Sequence, residues 1–306
     1  VGEHERYLPR LQHLPAQTLI WAMTDGFRYY RGSYVSALAA LFGVKTFGSG
    51  PQAQMICLDK FKSTLLIQAA GGRVPASTLA RNGELLGPPL APDPGQALFV
   101  KPNTLGAKLG IVRDSKCYSL AEALDQSRRI WQQYRDSAIL QTYIPGYDVR
   151  VSFMDAAQQK DGSRSGIYRL GGVEEGEAGG EFMTMTDTYT LLASRGGGEA
   201  PAASLLDRPA AFRPQMVDLT RQPALAGIVS EIETQVAAVT PLVGLRDYYS
   251  FDIRVSDTGE VYVLEFEVCP AVTIYDFQTY LADVYELDLS EALQRALPRA
   301  FSRPEQ

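Results

Sequence analysis

Residues 248–270, YYSFDIRVSDTGEVYVLEFEVCP, constrain the fold of this chain more than any other stretch. Two runs rich in Tyr, Phe, Val, Ile and Leu flank Asp257-Thr258-Gly259-Glu260, and a Thr-Gly pair between such runs signals a hairpin turn. With Thr258 and Gly259 at its centre, Asp252 is expected opposite Glu265 and Ser250 opposite Glu267. Side chains alternate along a strand, so Glu265 and Glu267 share one face with Asp252 and Arg254, while Leu264, Phe266 and Val268 take the other. Three carboxylates then converge. Like charges opposed across strands repel, by roughly 0.2–1 kcal/mol when exposed and by more when desolvated. Two readings stay open. One is an acidic sheet face, from which removing one acid relieves repulsion and leaves activity intact. The other is a site for a divalent cation, where oxygen-only ligands suit Mg²⁺, Mn²⁺ or Ca²⁺ rather than zinc.

Several function classes drop out on composition. The formal charge of −6 and pI near 5.1 argue against a nucleic-acid partner. His4 and His13 are the only histidines, so His-based triads and His-metal sites are excluded as explanations. Cys57, Cys117 and Cys269 lie far apart with no metal or redox spacing, which suits buried thiols in a reducing cytoplasm. No apolar run approaches the ~20 residues that span a bilayer, so no membrane association is expected. The chain opens Val-Gly-Glu-His, without Met or a hydrophobic leader, as expected of a piece of a longer protein. Its 306 residues suggest two or so domains.

Ahead of the hairpin, strands are expected at 18–24 and 44–48 around a helix at 33–42, an αβ alternation that predicts a parallel sheet. A helix is expected over 58–71 with Gly71-Gly72 as its stop, then a strand at 98–102 and a glycine-bearing loop, NTLGAKLG, at 103–110. A second amphipathic helix covers 120–134, and strands follow at 138–143, 149–155 and 166–170. The stretch 171–215, rich in Gly, Ala, Glu and Pro, reads as a long mobile loop or lid. Helices at 225–239 and 289–300 bracket the hairpin.

In order and spacing these motifs resemble ATP-grasp ligases of the D-alanine–D-alanine ligase-like branch, over about residues 18–297. LDKFKSTLLIQAAG is similar to that family's Asp-Lys helix, FVKP with GAKLG to its phosphate strand and loop, and IPGYDV to its adenine hinge and ribose contact. Asp252 with Glu265-Phe266-Glu267 and the turn Cys269-Pro270-Ala271 resembles its metal hairpin, Glu267 standing where Asn is usual. The resemblance implies an α+β ATP-grasp fold: a truncated Rossmann-like N-terminal α/β domain at 1–57, a central subdomain at 58–146 and a C-terminal domain at 147–306. It implies ATP and Mg²⁺ (or Mn²⁺) as cofactors. Lys60 and Lys101 would meet the phosphates, with Gly106, Ala107 and Lys108 in the loop over them. Gln141 would accept from the adenine amino group, the backbone of Tyr143 and Ile144 would flank the base, and Asp148 would hold the ribose. Asp252, Glu265 and Glu267 would hold metal.

The departures bear on substrate. The family's oxyanion Arg, two residues before the metal Asp, is Ser250 here, and Arg254 on the same face is the expected substitute. No Lys occurs in 161–220, where the family lid brings one to the γ-phosphate. Tyr275, Asp276 and Phe277 stand where family members bind the acceptor's carboxylate, and Asp276 would repel it. The expected function is therefore an ATP-dependent ligase joining an amino acid to a second small molecule in a specialised pathway, with mycosporine-like amino acid synthesis as the specific expectation. D-Alanine–D-alanine ligation and nucleotide binding without catalysis are the alternatives, and a homodimer stays open.

Overall fold

The computed structural model describes residues 13–15, 17–23, 31–90, 93–106, 108–158, 164–173, 182, 184, 214–217, 219–270, 281 and 286–303. Strands β1 (Leu19–Trp21) and β2 (Lys45–Phe47) pair in parallel around helix α1 (Arg31–Leu41), as the αβ alternation requires. Helix α2 (Pro51–Cys57) was not expected from sequence. Its proline lies in the first turn, where a missing N–H costs no hydrogen bond. The helix expected from residue 58 begins instead as α3 (Lys60–Ala69), because the Asp59 side chain accepts from the Lys62 N–H and caps it.

A five-stranded sheet follows, with order β4-β3-β7-β5-β6: β3 (Ser77–Arg81), β4 (Glu84–Leu85), β5 (Leu98–Pro102), β6 (Lys116–Cys117) and β7 (Ala138–Thr142). Its pairings are antiparallel. Helix α4 (Leu120–Tyr134), capped by Ser119, lays Ala123 and Ile130 on Leu98, Val100 and Leu140.

The second five-stranded sheet, also antiparallel, has order β10-β9-β8-β11-β12: β8 (Gly146–Gln158), β9 (Arg164–Val173), β10 (Pro214–Val217), β11 (Tyr248–Ser256) and β12 (Val261–Glu267). The stretch expected to be a loop at 171–215 thus begins and ends in strand. Apart from residues 182 and 184, its interior lies outside the described residues. Helix α5 (Ala226–Val243) packs Ile232, Val236 and Val239 against Phe251, Ile253, Val263 and Phe266. Odd-numbered β11 residues therefore enter this core, and even-numbered ones face the opposite side. Gly146, at φ +141°, starts β8 where a Cβ would lie 1.9 Å from the Val255 carbonyl oxygen.

Helix α6 (Leu289–Ser302) closes a smaller cluster with Phe47, Met154 and Tyr248. The Lys45 ammonium donates to the carbonyls of Phe301 (2.7 Å) and Arg303 (2.8 Å). Arg303 pairs with Asp247, whose other oxygen accepts from the Gly48 N–H at 2.7 Å. No described helix is long and apolar enough to cross a membrane.

Candidate active site

The hairpin brings Asp252 opposite Glu265 and Ser250 opposite Glu267, as expected, but by a different route. The turn holds three residues rather than two. Ser256 N–H donates to Glu260 O and Gly259 N–H to Ser256 O, both at 2.8 Å, with Gly259 in the left-handed region at φ +83°. That offsets the register by one, and the ladder shifts back between Asp252 and Ile253, where β12 carries an extra residue. The shift corrects the expected facing of Leu264. It lines the same cleft as Glu265, instead of the opposite face.

Two lysines reach these acids, one from helix α3 and one from the other five-stranded sheet. Lys60 opens α3, and its placement rests on a lock between Asp59 and Asn103. The Asn103 amide donates to Asp59 (2.9 Å), while its side-chain oxygen accepts from the Phe61 N–H (2.9 Å). The Lys60 ammonium then lies 2.6 Å from the Leu105 carbonyl oxygen and 3.6 Å from Glu265. Lys101, on β5 and 4% exposed, lies 4.0 Å from the other Glu265 oxygen. Burial lowers the Lys101 pKa, against the pull of Glu265. Burial alone would raise Glu265, yet Lys101, Lys60 and Arg150 together hold it down at about 2.

Arg150 escaped the sequence reading. It lies on β8 directly opposite Asp252, donating to that carboxylate at 2.6 Å and pairing with Glu267 through its other terminal nitrogen. Its signal was parity: it stands two residues after Asp148, on the same face of one strand. Withdrawal from water pushes the Glu267 carboxyl up, as do Asp252 and Glu265, with Arg150 opposing. Arg150, Lys60 and Lys101 thus offset only part of the repulsion expected of a bare carboxylate patch, and Glu267 still carries the rest. Among the described residues, no three His, Cys, Asp or Glu side chains form a ready metal cluster.

The other end of the cleft is an aromatic nest. Phe99 and Phe182 meet edge to face at 4.9 Å, with Tyr143 6.4 Å from Phe182. Gln141 lies beside them, its orientation set by hydrogen-bond logic. Ser77 Oγ donates to Pro75 O (2.7 Å), so it accepts from the Gln141 amide nitrogen (3.0 Å), leaving the amide oxygen as the acceptor for a ligand. The Tyr143 N–H is spent on Ala97 O at 2.8 Å, so the expected backbone donor to a base falls to Ile144 alone. Arg254, 5% exposed, donates to Ile144 O (2.9 Å), Asp148 (2.8 Å) and Tyr143 Oη (3.1 Å). It belongs to the hinge, and the place expected of an oxyanion cation falls to no atom of it.

Lys101, Lys108, Gln141, Tyr143, Ile144, Asp148, Asp252, Arg254 and Glu265 thus line one cleft between the two sheets, with Arg150 among them. Lys60 reaches it through Glu265, and Glu267 through Arg150. Gly106 is exposed, with nothing within 4 Å of the place a Cβ would take, so no protein contact explains its size. Ser250 is fully buried beside Asp252. Ala107, Tyr275, Asp276 and Phe277 lie outside the described residues.

No family model matches the chain. Among curated proteins it is 24% identical to a D-alanine–D-alanine ligase of Geobacter sulfurreducens, over 80% of this chain and 66% of that one. It is also 24% identical to a D-alanine–D-alanine ligase of Gloeobacter violaceus, over 92% and 82%. The chain therefore spans about two thirds to four fifths of these relatives' length. Among solved structures, a D-alanine–D-alanine ligase of Bacillus anthracis superposes with a TM-score of 0.66 at 17% identity, covering 98% of this chain and 84% of that one. The likeness shows the fold: α+β, of the ATP-grasp type.

Proposed function

We propose that this chain is an ATP-dependent ligase that phosphorylates a carboxylate and joins it to the amine of an amino acid. One observation carries the reading. Buried Lys101 and Lys60 converge on Glu265, opposite Asp252, at one end of a cleft whose other end is an aromatic slot with an oriented amide acceptor. Phosphoryl transfer depends mainly on positioning and on neutralising charge spread over the phosphates. Lys101 and Lys60 supply that charge, Gln141 receives the exocyclic amine of the base, and the Asp148 oxygen not held by Arg254 receives a ribose hydroxyl. The donor set suits Mg²⁺, since Asp252 and Glu265 are hard carboxylates opposed across the hairpin. Glu267 would join them only with its Arg150 partner displaced. The ion's contribution when bound is neutralisation of the transferring phosphoryl oxygens.

The curated relatives are D-alanine ligases, and D-alanine is the first substrate to try on that ground. No described residue favours a mycosporine core over D-alanine, and the positions that bear on the acceptor, 275–277, lie outside the described residues. The test is phosphate release from ATP and Mg²⁺ with D-alanine, D-serine, D-lactate and each common L-amino acid, product masses being read in parallel. A product of one carboxylate and one amine, less water, is the expected outcome. Nucleotide binding with no amino-acid-dependent phosphate release would leave a binding protein in place of the ligase.

A further inference from the structure

Along the cleft face, β8 and β11 pair same-side residues in rows: Asp148 with Arg254, Arg150 with Asp252, Ser152 with Ser250, then Met154 with Tyr248. The first two rows carry the proposed nucleotide and metal. The third is unexplained by either. Ser152 and Ser250 are both 0% exposed, and neither hydroxyl has a hydrogen-bond partner. Buried hydroxyls are ordinarily satisfied, and leaving two unsatisfied at directly opposed positions costs stability. The fourth row joins an apolar cluster with Phe47 and Leu281. So a polar pair without partners lies between a cation and an apolar wall.

We propose that Arg150, Ser152 and Ser250 form the subsite for the carboxylate that is phosphorylated, a proposal that rests on the ligase reading above. Arg150 now bridges Asp252 and Glu267, two of the three acids that would bind metal. A divalent cation on those oxygens would release the two terminal guanidinium nitrogens that now hold them, a planar fork that matches a carboxylate. Ser152 and Ser250 each add an O–H donor from the next row. The step balances within what the ligase supplies. A carboxylate oxygen bonds to the γ-phosphorus as the β,γ-bridging P–O bond breaks and ADP leaves. The amine nitrogen then bonds to the acyl carbon, the C–O bond to phosphate breaks, and the amine proton passes to water. Throughout, Arg150 would face the acyl oxygen on which negative charge develops.

The test compares wild type with Arg150→Met, Arg150→Lys and Ser250→Ala, using the amino acid that gives most phosphate release and, as nucleotide probe, Mg²⁺ with the non-hydrolysable analogue AMP-PNP. Arg150→Met should keep AMP-PNP affinity within about threefold, while kcat/KM for the amino acid falls at least about a hundredfold. Arg150→Lys should recover roughly tenfold of that loss, having the charge without the fork. Ser250→Ala should melt at a higher temperature than wild type without ligand, yet show a raised KM for the amino acid. A structural serine would not give both. Should Arg150→Met fail to fold, the lysine and serine variants decide the matter alone. A tenfold or greater loss of AMP-PNP affinity with unchanged amino-acid KM would overturn the subsite and return Arg150 to the nucleotide. Failure of wild type to bind AMP-PNP would instead overturn the nucleotide reading. Binding without turnover of any amino acid would overturn both proposals.

Discussion

Glu265 is where the charges of the cleft meet. Lys60 and Lys101 approach its two oxygens, and its carboxyl is held at about 2 against an ordinary 4.5. A carboxyl lowered in the folded state adds its full stability only where the unfolded form is ionised, and a shrinking part of it below that. Its contribution is therefore full above about pH 4.5 and lost as pH falls toward 2. Glu265→Gln should thus lower stability at pH 7 by an amount on the order of 3 kcal/mol, since a tenfold change in proton affinity is worth ~1.4 kcal/mol. Urea melts of the two proteins should converge only as pH falls to about 2. A bare acidic patch predicts the reverse, a variant as stable as wild type or more so. Turnover should fall by orders of magnitude, each tenfold loss being ~1.4 kcal/mol of transition-state stabilisation. Arg254→Met should act differently, since its partners are hinge groups. Nucleotide affinity should drop at least about tenfold, with kcat at saturating nucleotide little changed. The acids were legible from strand alternation. Arg150 was not, because the parity it shares with Asp148 assigns it no partner until its cross-strand neighbour is known.

At the scale of elements, the site depends on how strands and helices are pinned at their ends. Asn103 holds the first turn of α3 through the Phe61 N–H and the Asp59 carboxylate, and so aims Lys60. Asn103→Ala should cost about 1–3 kcal/mol in a denaturant melt and weaken nucleotide binding along with it. Asn103→Asp, which keeps an acceptor but faces Asp59, should be worse than alanine. Gly146→Ala should destabilise by more than about 2 kcal/mol, because its Cβ and the Val255 carbonyl claim the same space. Helices with a 3.6-residue apolar repeat were readable almost to the residue, as with α4, expected and found over 120–134. The short strands β3, β4 and β6 were not. Runs of two to five residues carry too little alternation, and their pairing with β5 and β7 supplies what their own sequence lacks.

For the molecule as a whole, the cleft lies between two antiparallel sheets, with Lys101 and Gln141 from one and Asp148, Asp252 and Glu265 from the other. A nucleotide bound there ties both. Stabilisation should follow RT ln(1 + [L]/Kd), about 2.7 kcal/mol at 100 Kd, and hydrogen exchange should slow in β5, β7, β8 and β11 together. Protection confined to one sheet would count against a shared site. The αβ alternation correctly announced a parallel pair in β1 and β2. It said nothing of the two larger sheets, whose antiparallel order is set by long-range pairing.

The anchorage of Lys45 on the carbonyls of Phe301 and Arg303 joins residues separated by 256 and 258 positions. On the ribosome, then, β2 can be made early but not secured until almost the last codons of this stretch have been read. Until that moment Phe47 and Tyr248 lack the helix that covers them, and the nascent chain carries that apolar surface exposed to whatever chaperone attends it.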